Sequence, residues 1–148
     1  MKTFKVDYVI IYKELDVQVL KVAFKAIIRK DDKILVIKRS AKEDVFEQLW
    51  DIPGGRMSFG EMPKEALTRE IKEETGLTVN ILNPFTVWSF MASEDTQVVG
   101  ITMLADYVSG TVSLSEEHTE YKWIYPEEFE QLDAHKNLKK EILLYARK

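Results

Sequence analysis

Residues 55–77 read GRMSFGEMPKEALTREIKEETGL, and the second half of that stretch predicts an α-helix that carries carboxylates along one face. Pro63 suits the first turn of such a helix, where a missing N–H costs nothing. Gly76 suits the left-handed residue just past its end. At about 100° per residue, Glu70, Glu73 and Glu74 fall within an arc of roughly 100°, because positions i, i+3 and i+4 share a face. Leu67 and Ile71 lie beside that arc as the core-facing stripe, while Lys64, Glu65, Thr68 and Lys72 face solvent. The carboxylates therefore sit next to the buried stripe. Like charges about 6 Å apart repel by roughly 3 kcal/mol per pair at an effective dielectric near 20. Such a cluster calls for a cation.

The cation should be hard and bound by oxygen. The chain has no cysteine and only two histidines, His118 and His135, which leaves little from which to build a zinc-type site. Carboxylates that meet a phosphate substrate suit Mg²⁺ or Mn²⁺. The competing reading of REIKEE (residues 69–74) is an ordinary acidic helix with i,i+4 pairs such as Glu65–Arg69 and Arg69–Glu73. Gly55, Glu61 and Gly76, all in register with it, favour the metal.

The spacing is Gly55, five residues, Glu61, seven residues, then Arg69 through Leu77, with aliphatic residues at Ile71 and Leu77. This is identified as an uninterrupted Nudix box, the signature of MutT-like pyrophosphohydrolases. The resemblance implies an α/β chain with the Nudix fold, an α/β/α sandwich around a mixed central sheet. It implies metal ligation by Glu70, Glu73, Glu74 and the carbonyl of Gly55, with Glu61, Arg69 and Gly76 structural within the motif. Arg69 is expected to orient Glu73, and Glu61 to fix the loop through Arg69 or a backbone contact. Arg39 and Arg56 are candidates for substrate phosphates, although Arg39 reads equally well as a solvated strand-end arginine. The general base is Glu70, Glu73 or Glu117. The resemblance implies that a glutamate six residues before a tryptophan, here Glu117 before Trp123, contributes a further metal ligand or the general base; its acidic loop also holds Glu116 and Glu120, and a merely solvated loop is the alternative.

The rest of the chain is consistent with one domain. Its 148 residues are 45% hydrophobic and 31% charged, with a formal charge of -4 that offers no electrostatic footprint for a nucleic-acid polymer. No stretch approaches the roughly 20 apolar residues of a membrane span, and the N-terminus lacks the apolar core of a signal peptide, so a cytoplasmic location is expected. Strands are predicted over residues 4–12, 17–28 and 34–38, with a turn at residues 30–33. After the box they are predicted over 77–82 and 85–91, broken at Asn83-Pro84, and then over 96–108, 111–114 and 120–124. A short helix follows Pro126, and an amphipathic one covers 138–146. The strand at 4–12 lies in an N-terminal extension, residues 1–16. It is apolar on both faces at its far end, and should either pack over the sheet or pair with a second copy in a homodimer, the favoured reading. Trp50 reads as structural. Trp88 and Phe90 alternate on one strand and either stack on a base or belong to the core.

The resemblance implies a Mg-dependent hydrolysis at phosphorus in a nucleoside diphosphate linked to another group, with a nucleotide as the small-molecule partner. The proline that marks ADP-ribose-type members, about fifteen residues past the box, is absent, since Met91 and Ala92 occupy that region. The tyrosine of the diadenosine-polyphosphate type is absent too. These absences favour a (deoxy)nucleoside triphosphate or small nucleotide derivative. The alternatives are an ADP-ribose or other dinucleotide pyrophosphatase, or a non-catalytic nucleotide-sensing module.

Overall fold

The computed structural model describes residues 17–148. The extension strand predicted at residues 4–12 falls outside them, as does the dimer contact assigned to it.

The sheet is built on β1 (Val19–Lys30), a long strand whose side chains alternate between two buried layers. Phe24, Ala26 and Ile28 enter one core with Leu67, Ile71 and Leu77, while Ile27 enters a second with Ile34, Val36, Phe129 and Ile142. Burial on both faces requires cover on both faces. Helix α1 (Pro63–Thr75) supplies the first cover. The 3-10 turn at Pro126–Gln131 and helix α2 (Lys136–Ala146) supply the second.

β2 (Lys33–Arg39) begins as the hairpin partner of β1 but pairs with it only at Arg29↔Ile34 and Lys30↔Lys33. It then peels away to pair with β3 (Trp50–Asp51), through Ile37↔Asp51 and Lys38↔Trp50. The edge of β1 that this frees is taken by β4 (Gly54–Arg56), with Ala23↔Arg56, Phe24↔Gly55 and Lys25↔Gly54. On its other edge β1 runs parallel to β6 (Thr96–Ser109), which pairs antiparallel with β5 (Thr78–Met91). β7 (His118–Ile124) closes the outer side of β2. The sheet therefore splits between β2 and β4.

Two expectations need correction. Asn83-Pro84 does not break the strand, because β5 runs unbroken from Thr78 to Met91 with register shifts on either side of Pro84. Proline lacks a donor, and a bulged outer strand can absorb it. Residues 111–114 form no strand. The backbone here serves α1 instead: Ser113 N–H donates to Thr75 O at 2.9 Å and, just past the stretch, Ser115 N–H donates to Glu74 O at 3.3 Å. The last carbonyls of a helix have no partner within it, so this stretch satisfies them. The short strands β3 and β4 were not anticipated.

α1 matches its predicted face. Leu67 and Ile71 are buried, Lys64, Glu65, Thr68 and Lys72 are exposed, and Gly76 ends the helix at φ 73°. Ile71 is fully enclosed in the first core. Ile71→Ala should cost about 2–5 kcal/mol in a urea unfolding titration, as for other deletions that leave a core cavity. A loss under about 1 kcal/mol would show that α1 is not anchored there.

Candidate active site

Glu74 leaves the buried side of α1 and rises into the split between β2 and β4, toward His118 at the start of β7. Its Oε1 accepts from Gly54 N–H at 3.3 Å, and its Oε2 lies 3.6 Å from His118 Nε2. The side chain is 3% exposed, and among the described residues Oε2 has no hydrogen-bond partner, nor does either ring nitrogen of His118. Burial pushes the Glu74 carboxyl up to about 8. Lys25 opposes this, while the negative charges of Asp51, Glu70 and Glu117 reinforce it. Burial also drives His118 down, to about 4. Both groups are thus held toward neutrality, and the 3.6 Å approach is not an ion pair. One wall of the split is a charged pair. Lys25 Nζ donates to Asp51 Oδ2 at 2.8 Å and to Ile52 O at 3.1 Å. Burial alone would raise Asp51, but Lys25 and the Ile52 N–H keep it below the ordinary range.

Glu70, one turn earlier, is 17% exposed on its side chain and lies against Gly55. A Cβ at position 55 would come within 2.5 Å of the Glu70 carboxylate, so only glycine admits this approach. Burial raises the Glu70 pKa, Arg69 pulls it back, and the charges of Glu73 and Glu117 push it up again. Glu73 is the outward member, 59% exposed.

Arg69 ties these parts together with all five of its donors. Nε and Nη2 reach the two oxygens of Glu61 at 2.6 and 3.0 Å, and Nη2 also reaches Arg56 O at 3.2 Å. Nη1 is shared by Glu70 at 3.0 Å and Glu73 at 3.2 Å. Glu61 Oε2 in turn accepts from Ser58 N–H at 2.7 Å, and the Arg69 hydrogen bonds hold its carboxyl down at about 2. Arg69 has no donor left for a substrate phosphate.

The remaining candidates separate by position. Glu117 lines the same cleft as Gly55, Glu70 and Glu74, whereas Glu120 is an exposed partner of Lys38 at 3.1 Å. Arg39 also borders the cleft but is not a solvated strand end. Its Nε donates to Val45 O at 3.0 Å and its Nη2 to Glu43 at 3.1 Å, which fastens the loop after β2. Arg56 is exposed at the cleft margin. Trp50 is buried in the second core. Sequence reading missed Lys25, Asp51 and His118. A lysine inside an otherwise apolar strand was the one available signal for the first, since a half-buried cation needs a partner.

The residues fit a hard divalent cation. The groups of Glu70, Glu73, Glu74 and the Gly55 carbonyl are all oxygen donors, Glu74 Oε2 is buried without a partner among the described residues, and Gly55 lets Glu70 close against the backbone. Among the described residues no three such side chains already converge as a ready-made cage, since Arg69 occupies Glu70 and Glu73.

Comparisons with known proteins give the family. The pattern of the family described as NUDIX domain matches residues 19–145. An ADP-ribose pyrophosphatase of Methanocaldococcus jannaschii is 37% identical over 100 residues, which are 67% of this chain but only 58% of that protein. A nucleoside triphosphatase NudI of Escherichia coli is 31% identical over 129 residues, 80% of this chain and 91% of that protein. The crystal structure of a MutT protein from Methanosarcina mazei superposes with a TM-score of 0.79 at 27% identity, covering 88% of this chain and 95% of that one. With the family pattern spanning most of its length and the box residues gathered around one cleft, the chain belongs to the Nudix family of hydrolases.

Proposed function

We propose that the protein is a divalent-metal-dependent pyrophosphohydrolase of nucleoside triphosphates or small nucleotide derivatives. The observation that carries this reading is the buried, unpartnered oxygen of Glu74, set beside Glu70 and Gly55 at the cleft. Glu70, Glu74 and the Gly55 carbonyl would hold Mg²⁺ or Mn²⁺, with Glu73 as a further ligand. When bound, the ion neutralises phosphate charge and lowers the pKa of the attacking water. The oxygen of that water forms the new bond to one phosphorus, the bridging P–O bond breaks, and the leaving phosphate carries away the electron pair. Glu117, exposed at the cleft and close enough to raise the pKa of Glu70 and Glu74, would take the proton of the water. Glu70 and Glu73 remain the other candidates for that base. Arg56 faces the phosphates.

The nucleoside triphosphate reading is supported by the E. coli relative, which the chain covers almost end to end. ADP-ribose is the second reading, favoured by the identity to the M. jannaschii protein. Turnover of a panel of nucleoside triphosphates, nucleoside diphosphate sugars and ADP-ribose with Mg²⁺ tests the assignment. Failure on every member would sink it.

Glu74→Gln should lower turnover by roughly 10²–10³-fold, the loss typical when one preorganised electrostatic contact to the transition state is removed. Wild-type rates at saturating Mg²⁺ would refute the ligand role. Among Glu116→Gln, Glu117→Gln and Glu120→Gln, only the second should lose much activity; three near-wild-type rates would return this loop to solvent.

The raised pKa of Glu74 sets a pH dependence of stability with an unusual sign for a carboxylate. The folded protein keeps this proton up to about pH 8, while the unfolded chain loses it near its ordinary 4.5. Metal-free stability should therefore be highest, for this group, below that lower pKa. It should fall as pH rises through the window and level off above about 8, by an amount on the order of a few kcal/mol. Glu74→Gln removes this slope, so in chelator its thermal midpoint should exceed the wild type at pH 8 and approach it near pH 5. Added Mg²⁺ should raise the wild-type midpoint at pH 8 and leave the variant nearly unchanged. A parallel pH profile for the two proteins would show that Glu74 is ionised without metal.

A further inference from the structure

The acidic residues occupy only part of the cleft, which has a volume of about 520 Å³. Another part is aromatic. Trp88 and Phe90 project from β5 to the α2 side of the sheet, and both line the cleft without joining either core. The Trp88 ring lies flat on Gly100 of β6, where an added Cβ would fall 2.1–2.3 Å from three of its ring atoms. Its Nε1–H donates to the buried hydroxyl of Thr102 at 3.0 Å. The Phe90 ring is tilted only 18° from it, with centroids 6.1 Å apart, so the two tile the sheet side by side. Phe46 stands edge-on to Phe90 at 5.5 Å and to His135 at 5.0 Å. It comes from the loop after β2, in which Phe46 and Gln48 both have left-handed backbones, φ 57° and 60°. L-residues pay for that conformation, so the loop's other contacts hold the ring in place.

Strand register gives the distance between the two parts. Gly100 pairs with Ala23, and Ala23 with Arg56. The indole is therefore two strand spacings, roughly 10 Å, from the backbone of Gly55 and Arg56. That separation suits the span from a nucleobase to its polyphosphate. At the Thr86 end of the aromatic row, the Thr86 hydroxyl donates to Glu141 of α2, and Asn137 lies one turn before Glu141 on the same cleft-facing side.

We propose that Trp88 and Phe90, walled by Phe46, form the platform on which the nucleobase stacks, and that Glu141 accepts a hydrogen bond from an amino group on its edge. The inference rests on the reading of the cleft as a nucleotide site. A fixed, flat aromatic surface stacks on any base. A carboxylate offers acceptors only, so at the position of the exocyclic amino group it favours cytosine, whose N4 donates there, over uracil, whose O4 is an acceptor. Asn137 offers both a donor and an acceptor to a second position on the ring.

Binding of AMP, GMP, CMP and UMP measured by calorimetry without turnover tests the platform, with triphosphate hydrolysis followed in parallel. Trp88→Ala and Phe46→Ala should each weaken monophosphate binding, the former by roughly 5- to 150-fold. Trp88→Phe should stay within about threefold of wild type, and circular dichroism should show all three folded. Glu141→Gln should cut the preference for CMP over UMP by about tenfold, because its amide can donate to a carbonyl. Hydrolysis of inorganic tripolyphosphate, which has no base, should be unaffected by all four substitutions. Wild-type affinity in folded Trp88→Ala and Phe46→Ala would overturn the proposal, as would equal loss on tripolyphosphate. Monophosphate binding that depends on Trp88, in a wild type that hydrolyses no nucleotide, would uphold the platform and sink the hydrolase reading. Efficient hydrolysis indifferent to Trp88 and Phe46 would do the reverse.

Discussion

The enclosure of the Glu74 carboxylate is the constraint on which the rest of the structure depends. An uncompensated buried charge costs several kcal/mol, and among the described residues the one hydrogen bond it accepts is from the Gly54 N–H at 3.3 Å. Lys25, the nearby cation, is committed to Asp51 and Ile52 O. The sheet opens between β2 and β4 to admit the side chain, and His118 closes the far wall. Without a cation the group resolves the conflict by keeping its proton. A cation at Oε2 would remove the need for that proton, and metal affinity and folding stability would then be linked through one oxygen.

Arg69 solves a different problem, that of holding four mobile pieces in one register. It joins the end of β4 at Arg56, the turn anchored by Glu61, and the side chains of Glu70 and Glu73. A guanidinium is suited to this because its donors are fixed in a planar fork. A lysine could supply the charge but not five directed bonds. The same saturation explains why the positive groups free to meet phosphate must be sought elsewhere, at the cleft margin where Arg56 stands exposed.

What could be read from the sequence was the part that is local in it. The face of α1, its proline start and its glycine end follow from spacings of three and four residues, and the helix forms over Pro63–Thr75 as those spacings require. Glu61 and Arg69 are eight apart, yet their contact was also foreseeable, because a loop that returns to its own helix leaves few partners. The split in the sheet was not legible. It depends on β2 leaving β1 after two residue pairs, and nothing in residues 33–39 announces that departure. Lys25, Asp51 and His118 converge from β1, β3 and β7, and only the register brings them together. Residues 111–114 look like a strand because β-branched residues recur there, but the free carbonyls of α1 claim their N–H groups first.

This difference in legibility has a physical consequence for specificity. The acidic end is specified by one contiguous segment, residues 55–77, in which a substitution at Gly55, Glu61 or Arg69 disturbs several contacts at once. The aromatic end is assembled from the loop after β2, from β5 and from α2, and each contributes a side chain that the others do not need for folding. Trp88 depends on Gly100 and Thr102, but Phe46 and Glu141 make few contacts that define the core. Changes at those positions can alter what the cleft holds without touching the carboxylates. The fold thus separates the carboxylate cluster, whose members share one network of contacts through Arg69, from an aromatic surface assembled from elements far apart in the chain.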